Sequence, residues 1–150
     1  MPMPHHPLDR PVWQALTTRQ AALAEGDARA WRLRREYGVF AAAADGSAES
    51  LAALARLIPD GEAVWLVEAD PVVPPGTVAR KQALCHQMVA DALTPAGPPR
   101  FGIVPLGEAD AAEMFALARL TEPGPYNEWT HRLGDFVGVK QGGRLVAMAG

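Results

Sequence analysis

A single cysteine, Cys85, is the only thiol in this 150-residue chain, so no internal disulfide can form. That economy suits a reducing compartment, and a cytoplasmic location is the expectation. The chain has no apolar run near the roughly 20 residues that span a bilayer. Met1 to Pro7 contains no apolar stretch of the kind a secretory signal needs and reads as a frayed arm. Charge of one sign is also scarce. The net charge is −3, and the only dense basic group is Arg32, Arg34 and Arg35, set among acidic residues. Such a balance gives no electrostatic reason to bind nucleic acid or an anionic membrane, and the trio reads as a solvated face. Four dispersed histidines and one cysteine make no zinc signature; the adjacent His5 and His6 lack carboxylate or thiolate company. Gly-x-Ser-x-Gly, a Walker loop and a basic helix-turn-helix are all missing.

What is present is ordinary globular chemistry with small side chains. Hydrophobic residues make up 49% of the chain, but alanine supplies much of that. A core must therefore lean on Trp13, Trp31, Phe40, Leu51, Leu54, Ile58, Trp65, Leu66, Ile103, Met114, Phe115 and Leu117. Each is worth roughly 1.5–3 kcal/mol when fully buried.

Asp9 and Pro11 open a first helix that Gly26-Asp27 should stop. Ala28 to Leu33 and Val39 to Ala44 read as short strands around Glu36-Tyr37-Gly38, with helix open as an alternative for the alanine run. Gly46-Ser47 starts a clear helix, because Leu51, Leu54, Ala55 and Ile58 form one apolar stripe. Ala63 to Val67 reads as a buried strand. Thr77 to Ala90 reads as a long strand in which Leu84, His86 and Met88 alternate with Cys85, Gln87 and Val89. Neighbours on a strand face opposite ways, so Cys85 and His86 cannot share a proton, and Cys85 is expected buried and inert.

Thr94 to Pro99, rich in proline, marks a division between residues 1–98 and 99–150. Beyond it, Phe101 to Leu106 reads as a strand and Asp110 to Leu120 as a helix. Asp110 and Glu113 would form a capping box rather than an acid–base pair. Met114, Leu117, Ala118 and Thr121 repeat at helical spacing as core. Glu122 to Tyr126 breaks the helix through its prolines. Phe136 to Lys140 and Leu145 to Gly150 then flank Gly142-Gly143, a glycine pair suited to a hairpin turn.

From Phe101 the order is strand, helix, turn-rich stretch, strand, hairpin, strand. The phrases Ile103 to Met114, Leu120 to Pro125, Thr130 to Gly134 and Gly142 to Gly150 carry that order. Here the chain resembles the first half of the GNAT (Gcn5-related) N-acetyltransferase fold, in the bacterial branch related to FR47-like enzymes. Residues 8–93 resemble the N-terminal region that such proteins carry. The resemblance implies an α+β protein: a mixed, largely antiparallel sheet with flanking helices. It implies acetyl-CoA as cofactor and an amine, on a small molecule or peptide, as acceptor. The family's pyrophosphate loop follows the third strand of the fold, and no loop of the type Arg/Gln-x-x-Gly-x-Gly/Ala occurs here. No catalytic or cofactor-binding residue is therefore carried over. On the acceptor side, the resemblance places Tyr126, Glu128, Trp129 and His131 as pocket lining.

Two functional expectations follow. One is an N-acetyltransferase that is inactive as residues 1–150 alone. The other is a non-catalytic module that pairs through an open sheet edge with itself or with a missing C-terminal half.

Overall fold

Each half of the chain builds its own three-stranded antiparallel sheet. The structure is a computed structural model that describes residues 6–150. Residues 1–5, including most of the expected arm and His5, lie outside the described residues.

In the first half, helix α1 (Pro11–Thr17) starts on the proline whose missing N–H costs nothing there. It is shorter than expected, since Gly26-Asp27 does not end a helix. Those residues close strand β1 (Ala24–Asp27), which pairs antiparallel with β2 (Ala30–Leu33). Gly26 has φ +142 there, and a Cβ would meet the Ala30 carbonyl oxygen at 2.1 Å. Only glycine permits so close a crossing. Strand β3 (Ala41–Ala43) then joins β2, again antiparallel. The two short strands around Tyr37 are thus as expected.

Helix α2 (Ala48–Arg56) follows, and the Ser47 hydroxyl caps it by accepting from the Ser50 N–H at 3.3 Å. The β2 alternation assigns the two helices to opposite faces. Ala30, Ala41 and Ala43 pack against Ala53 and Leu54 of α2, where small strand residues allow the helix close. Leu33 packs with Leu16 of α1 and with Tyr37.

Arg32 corrects the expectation of a solvated basic face. It points toward α2 and is 5% exposed. Its Nη1 donates to the Leu57 carbonyl at 2.7 Å, at the C-terminal end of α2. Glu25 and Glu62 flank the guanidinium at 3.3 and 3.4 Å. Burial is tolerable because the donors find acceptors.

Ala63 to Val67 also departs from expectation. It contributes one parallel bridge, Trp65 to Phe40, rather than a strand. Val64 and Leu66 turn into the α2 cluster, whereas Trp65 is 50% exposed with its ring edge-on to Phe40. Glu68 then leaves the sheet to form a fork with Arg10, at 3.0 and 2.8 Å.

Thr77 to Ala90 forms no strand. It joins no ladder, with Leu84 87% and Met88 93% exposed, and Gln87 Nε2 donates to the Leu8 carbonyl at 2.7 Å. Cys85 is exposed, not buried. Alternation makes strand geometry possible, but without a neighbouring strand the ladder cannot form. Thr94 to Pro99 continues the same exposed course.

The second sheet is β4 (Val104–Leu106), β5 (Phe136–Gln141) and β6 (Arg144–Ala149), in the order β4-β5-β6 and antiparallel throughout. Gly142 and Gly143, at φ 56 and 79, turn the hairpin as expected. The opening strand is shorter than expected, and Ile103 lies exposed before it. Helix α3 (Ala111–Thr121) packs on β6 through Met114 and Ala118, with Leu145 buried beneath. Asp110 does not make the expected capping box. Its carboxylate reaches back to the Gly107 N–H at 3.0 Å and takes Lys140 Nζ at 2.5 Å. Lys140, placed on β5, also lies 3.4 Å from Glu113, so the two acidic residues share a cation instead of capping each other. The architecture is α+β, with two antiparallel sheets in place of one mixed sheet.

Candidate functional site

The turn-rich stretch after α3 is where the two sheets meet. Glu122 ends the helix in the left-handed region, φ 46, and Pro123 and Pro125 prevent its continuation. The chain then folds back on the turn at residues 34–38 of the first half. The Trp129 N–H donates to the Glu36 carbonyl at 2.9 Å. The Thr130 hydroxyl accepts from the Asn127 N–H at 2.7 Å and donates to the Tyr37 carbonyl at 2.9 Å. Asn127 Nδ2 donates to the Arg35 carbonyl. Trp129 meets Tyr37 edge-on at 5.5 Å, and Leu133 enters the Leu16–Leu33–Tyr37 cluster. Backbone groups that a free loop would leave to water are thereby paired across about ninety residues of sequence.

That anchored loop closes one side of an open pocket of about 290 Å³. The N-terminal turn of α3 closes the other, through Ala111, Ala112 and Phe115. Glu128, Trp129 and His131 line it together with Glu108 and Arg132. The polar geometry centres on Glu108. Arg132 grips its carboxylate in a fork at 2.6 and 3.0 Å and lies over the Trp129 ring at 4.6 Å. This fork holds the Glu108 carboxyl below its usual range, with His131 adding to the effect. His131 Nε2 lies 3.2 Å from Glu108 Oε1, within ion-pair distance but out of line for a hydrogen bond. The imidazole is almost wholly buried, and neither ring nitrogen has a hydrogen-bond partner among the described residues. An unpaired buried polar group costs about 1–3 kcal/mol, so this is a place where a polar ligand or water can contribute.

Three of the four expected lining residues, Glu128, Trp129 and His131, therefore come together. Tyr126 does not line the pocket. Its ring packs edge-on to Phe136 at 6.2 Å, and its hydroxyl is shielded with no hydrogen-bond partner among the described residues. Burial pushes that phenol up from its usual value. Glu108 and Arg132 were not singled out in the sequence. The acid-rich start of α3 was the signal for Glu108. For Arg132 the only signal was its place beside His131.

A larger pocket of about 370 Å³ lies beside β3, lined by Arg10, Asp45, Glu68 and Asp70 over Leu51, Leu54 and Leu66. Arg10, Asp45 and Glu68 are engaged internally, and none of the residues singled out on the acceptor side lies there. Arg10 donates to the Ala43 and Ala44 carbonyls as well as to Glu68, and Asp45 accepts from Ser47. We therefore take the smaller pocket as the candidate.

Over 96% of its length the chain superposes, with a TM-score of 0.81 and 43% sequence identity, on the crystal structure of a protein from Novosphingobium aromaticivorans DSM 12444, assigned as an acetyltransferase of the GNAT family. The chain belongs to the GNAT superfamily. It spans 63% of that relative's length. No protein-family model and no curated protein matches it.

GNAT proteins take acetyl-CoA, whose pyrophosphate favours a helix N-terminus with free N–H groups and no competing anion. The two longer helices do not fit it. The start of α2 carries Asp45 and Glu49, and that of α3 carries Glu108, Asp110 and Glu113. Neither helix start among the described residues therefore suits a pyrophosphate. No group of at least three His, Cys, Asp or Glu residues that could hold a metal ion occurs among the described residues. No described helix is long and apolar enough to cross a membrane.

Proposed function

We propose that this chain is the acceptor-side portion of a GNAT N-acetyltransferase of the FR47-like bacterial branch, working in the cytoplasm. The reaction class is transfer of an acetyl group from acetyl-CoA to an amine. The observation that carries this reading is the pocket that Glu108, Glu128, Trp129 and His131 share beside α3, in a fold similar to a GNAT protein over nearly the whole chain. Its carboxylates favour an ammonium group, and Trp129 and Phe115 offer apolar contact to the body of an amine. Residues 1–150 alone are inactive in this reading, because their helix starts repel the pyrophosphate. The exposed thiol of Cys85 fits a reducing compartment.

The test is titration of residues 1–150 with phenethylamine, followed by NMR. The reading expects saturable shifts at Phe115, Glu128, Trp129 and His131. Shifts confined to the pocket at Asp45 and Glu68, or none at all, would count against it. Turnover of acetyl-CoA above buffer by the same residues would refute the inactivity.

A second reading is a pairing module that associates with itself or with a further segment. It is favoured by the open edge of β6 and by the unpaired residues 77–93. A monodisperse monomer by light scattering at high concentration argues against self-association.

A further inference from the structure

We infer that the turn at Arg34–Gly38 is the positioning element of the acceptor pocket, acting through Thr130 and Asn127. This rests on the acceptor reading above.

The first half of the chain contributes no side chain to the pocket lining. Its influence runs through backbone carbonyls. The carbonyls of Arg35, Glu36 and Tyr37 are three successive acceptors, and they take Asn127 Nδ2, the Trp129 N–H and the Thr130 hydroxyl in turn. This row fixes the loop backbone on either side of Glu128. The Tyr37 ring braces the Trp129 indole, and the indole carries the Arg132 guanidinium that holds Glu108. The chain of contact runs from the turn to Trp129, to Arg132, and so to the carboxylate beside His131. Leu133 closes the far end of the loop in the Leu16–Leu33–Tyr37 cluster.

Thr130 is the joint of the row. Its hydroxyl is both acceptor and donor, so valine at that position breaks two bonds while keeping the shape. Serine keeps both. A docked loop presents Glu128, Trp129 and His131 in one arrangement, whereas an undocked one must be ordered when the amine binds. That ordering weakens binding. Residues 35–37 and 130 touch no amine in this scheme and act by position.

The experiment compares wild type with Thr130→Val, Thr130→Ser and Asn127→Ala. Phenethylamine affinity is read from the Trp129 indole resonance, and amide exchange is measured at residues 127–133. Thr130→Val should weaken amine binding about tenfold, as expected for the loss of one or two hydrogen bonds. Exchange should rise at Trp129, Arg132 and Leu133, with the amides of β2 and β5 unchanged. Thr130→Ser should restore both. Asn127→Ala, at the loop surface, should give a smaller weakening of the same kind, and it keeps the test open if Thr130→Val does not fold. Wild-type affinity in every foldable variant overturns the positioning role and leaves the pocket standing. Absence of amine binding by wild type overturns the pocket itself, and the positioning role with it.

Discussion

Replacing Arg32 with methionine should lower stability by roughly 2 kcal/mol. Methionine keeps most of the stem and removes only the guanidinium. The Arg32 side chain is 6% exposed, whereas those of Glu25 and Glu62 are 51% and 32% exposed. Losing one partner of a fully buried ion pair costs about 3–5 kcal/mol, because the other charge is stranded. Here both carboxylates can turn to water, so that figure is an upper bound. The Leu57 carbonyl, in a part-buried bond at the end of α2, is less free to do so. It loses a donor at 2.7 Å, and an acceptor left unsatisfied in a fully buried place costs about 1–3 kcal/mol, so a partly buried one falls within or below that range. For a chain of this size the expected fall in Tm is about 4–8 °C. Urea unfolding followed by far-UV circular dichroism would measure it, with an unchanged slope. A cycle with Glu62→Gln should show less than about 1 kcal/mol of coupling, since Glu62 is partly hydrated. A variant as stable as wild type would refute the idea that Arg32 ties β2 to the end of α2.

Three further outcomes are expected. Asp45 is held down to about 2 from its ordinary 3.8, first by the Ser47 hydroxyl and then by the Ser47 N–H. Its folded value is depressed, so its contribution is fully present above 3.8 and lost as pH falls through about 2. The Tm difference between wild type and Asp45→Asn should therefore be constant near neutrality and close in acid; a difference that widens on acidification contradicts this. Gly138→Ala should destabilise by about 1–3 kcal/mol, because the added Cβ would sit 2.9 Å from the Ala147 carbonyl oxygen and closer still to Leu106 and Leu145. Thermal unfolding checks that, and an unchanged Tm would show that β6 gives way. Cys85 should react stoichiometrically with an aromatic disulfide reagent in the native protein; labelling only after denaturation would mean residues 77–93 are covered in solution.

Elements whose stabilising groups lie within a few residues were legible in the sequence. Ser47 caps α2 from the adjacent position, and Gly142-Gly143 supplies the hairpin turn directly. What was not legible depends on residues that arrive later in the chain. Arg32 is buried only because Leu57 and Glu62 reach it from 25 and 30 residues away. The alternation of residues 77–90 allows a strand, yet a strand needs a neighbour, and none of the described residues pairs there. The exposure of Cys85 follows from that same lack of a partner. At the candidate site, Glu128, Trp129 and His131 were found because they share one loop. Tyr126 shares the loop too, but its ring turns to Phe136. Glu108 comes from the acid-rich start of α3, where capping is the ordinary reading, and the docking turn at residues 34–38 lies about ninety residues away with no local pattern to announce it.

Calorimetric titration of residues 1–150 with acetyl-CoA tests the account most directly. If the acidic starts of α2 and α3 exclude the pyrophosphate, no saturable heat should appear up to millimolar ligand. Stoichiometric binding in the micromolar range would contradict the assignment of this chain to the acceptor side.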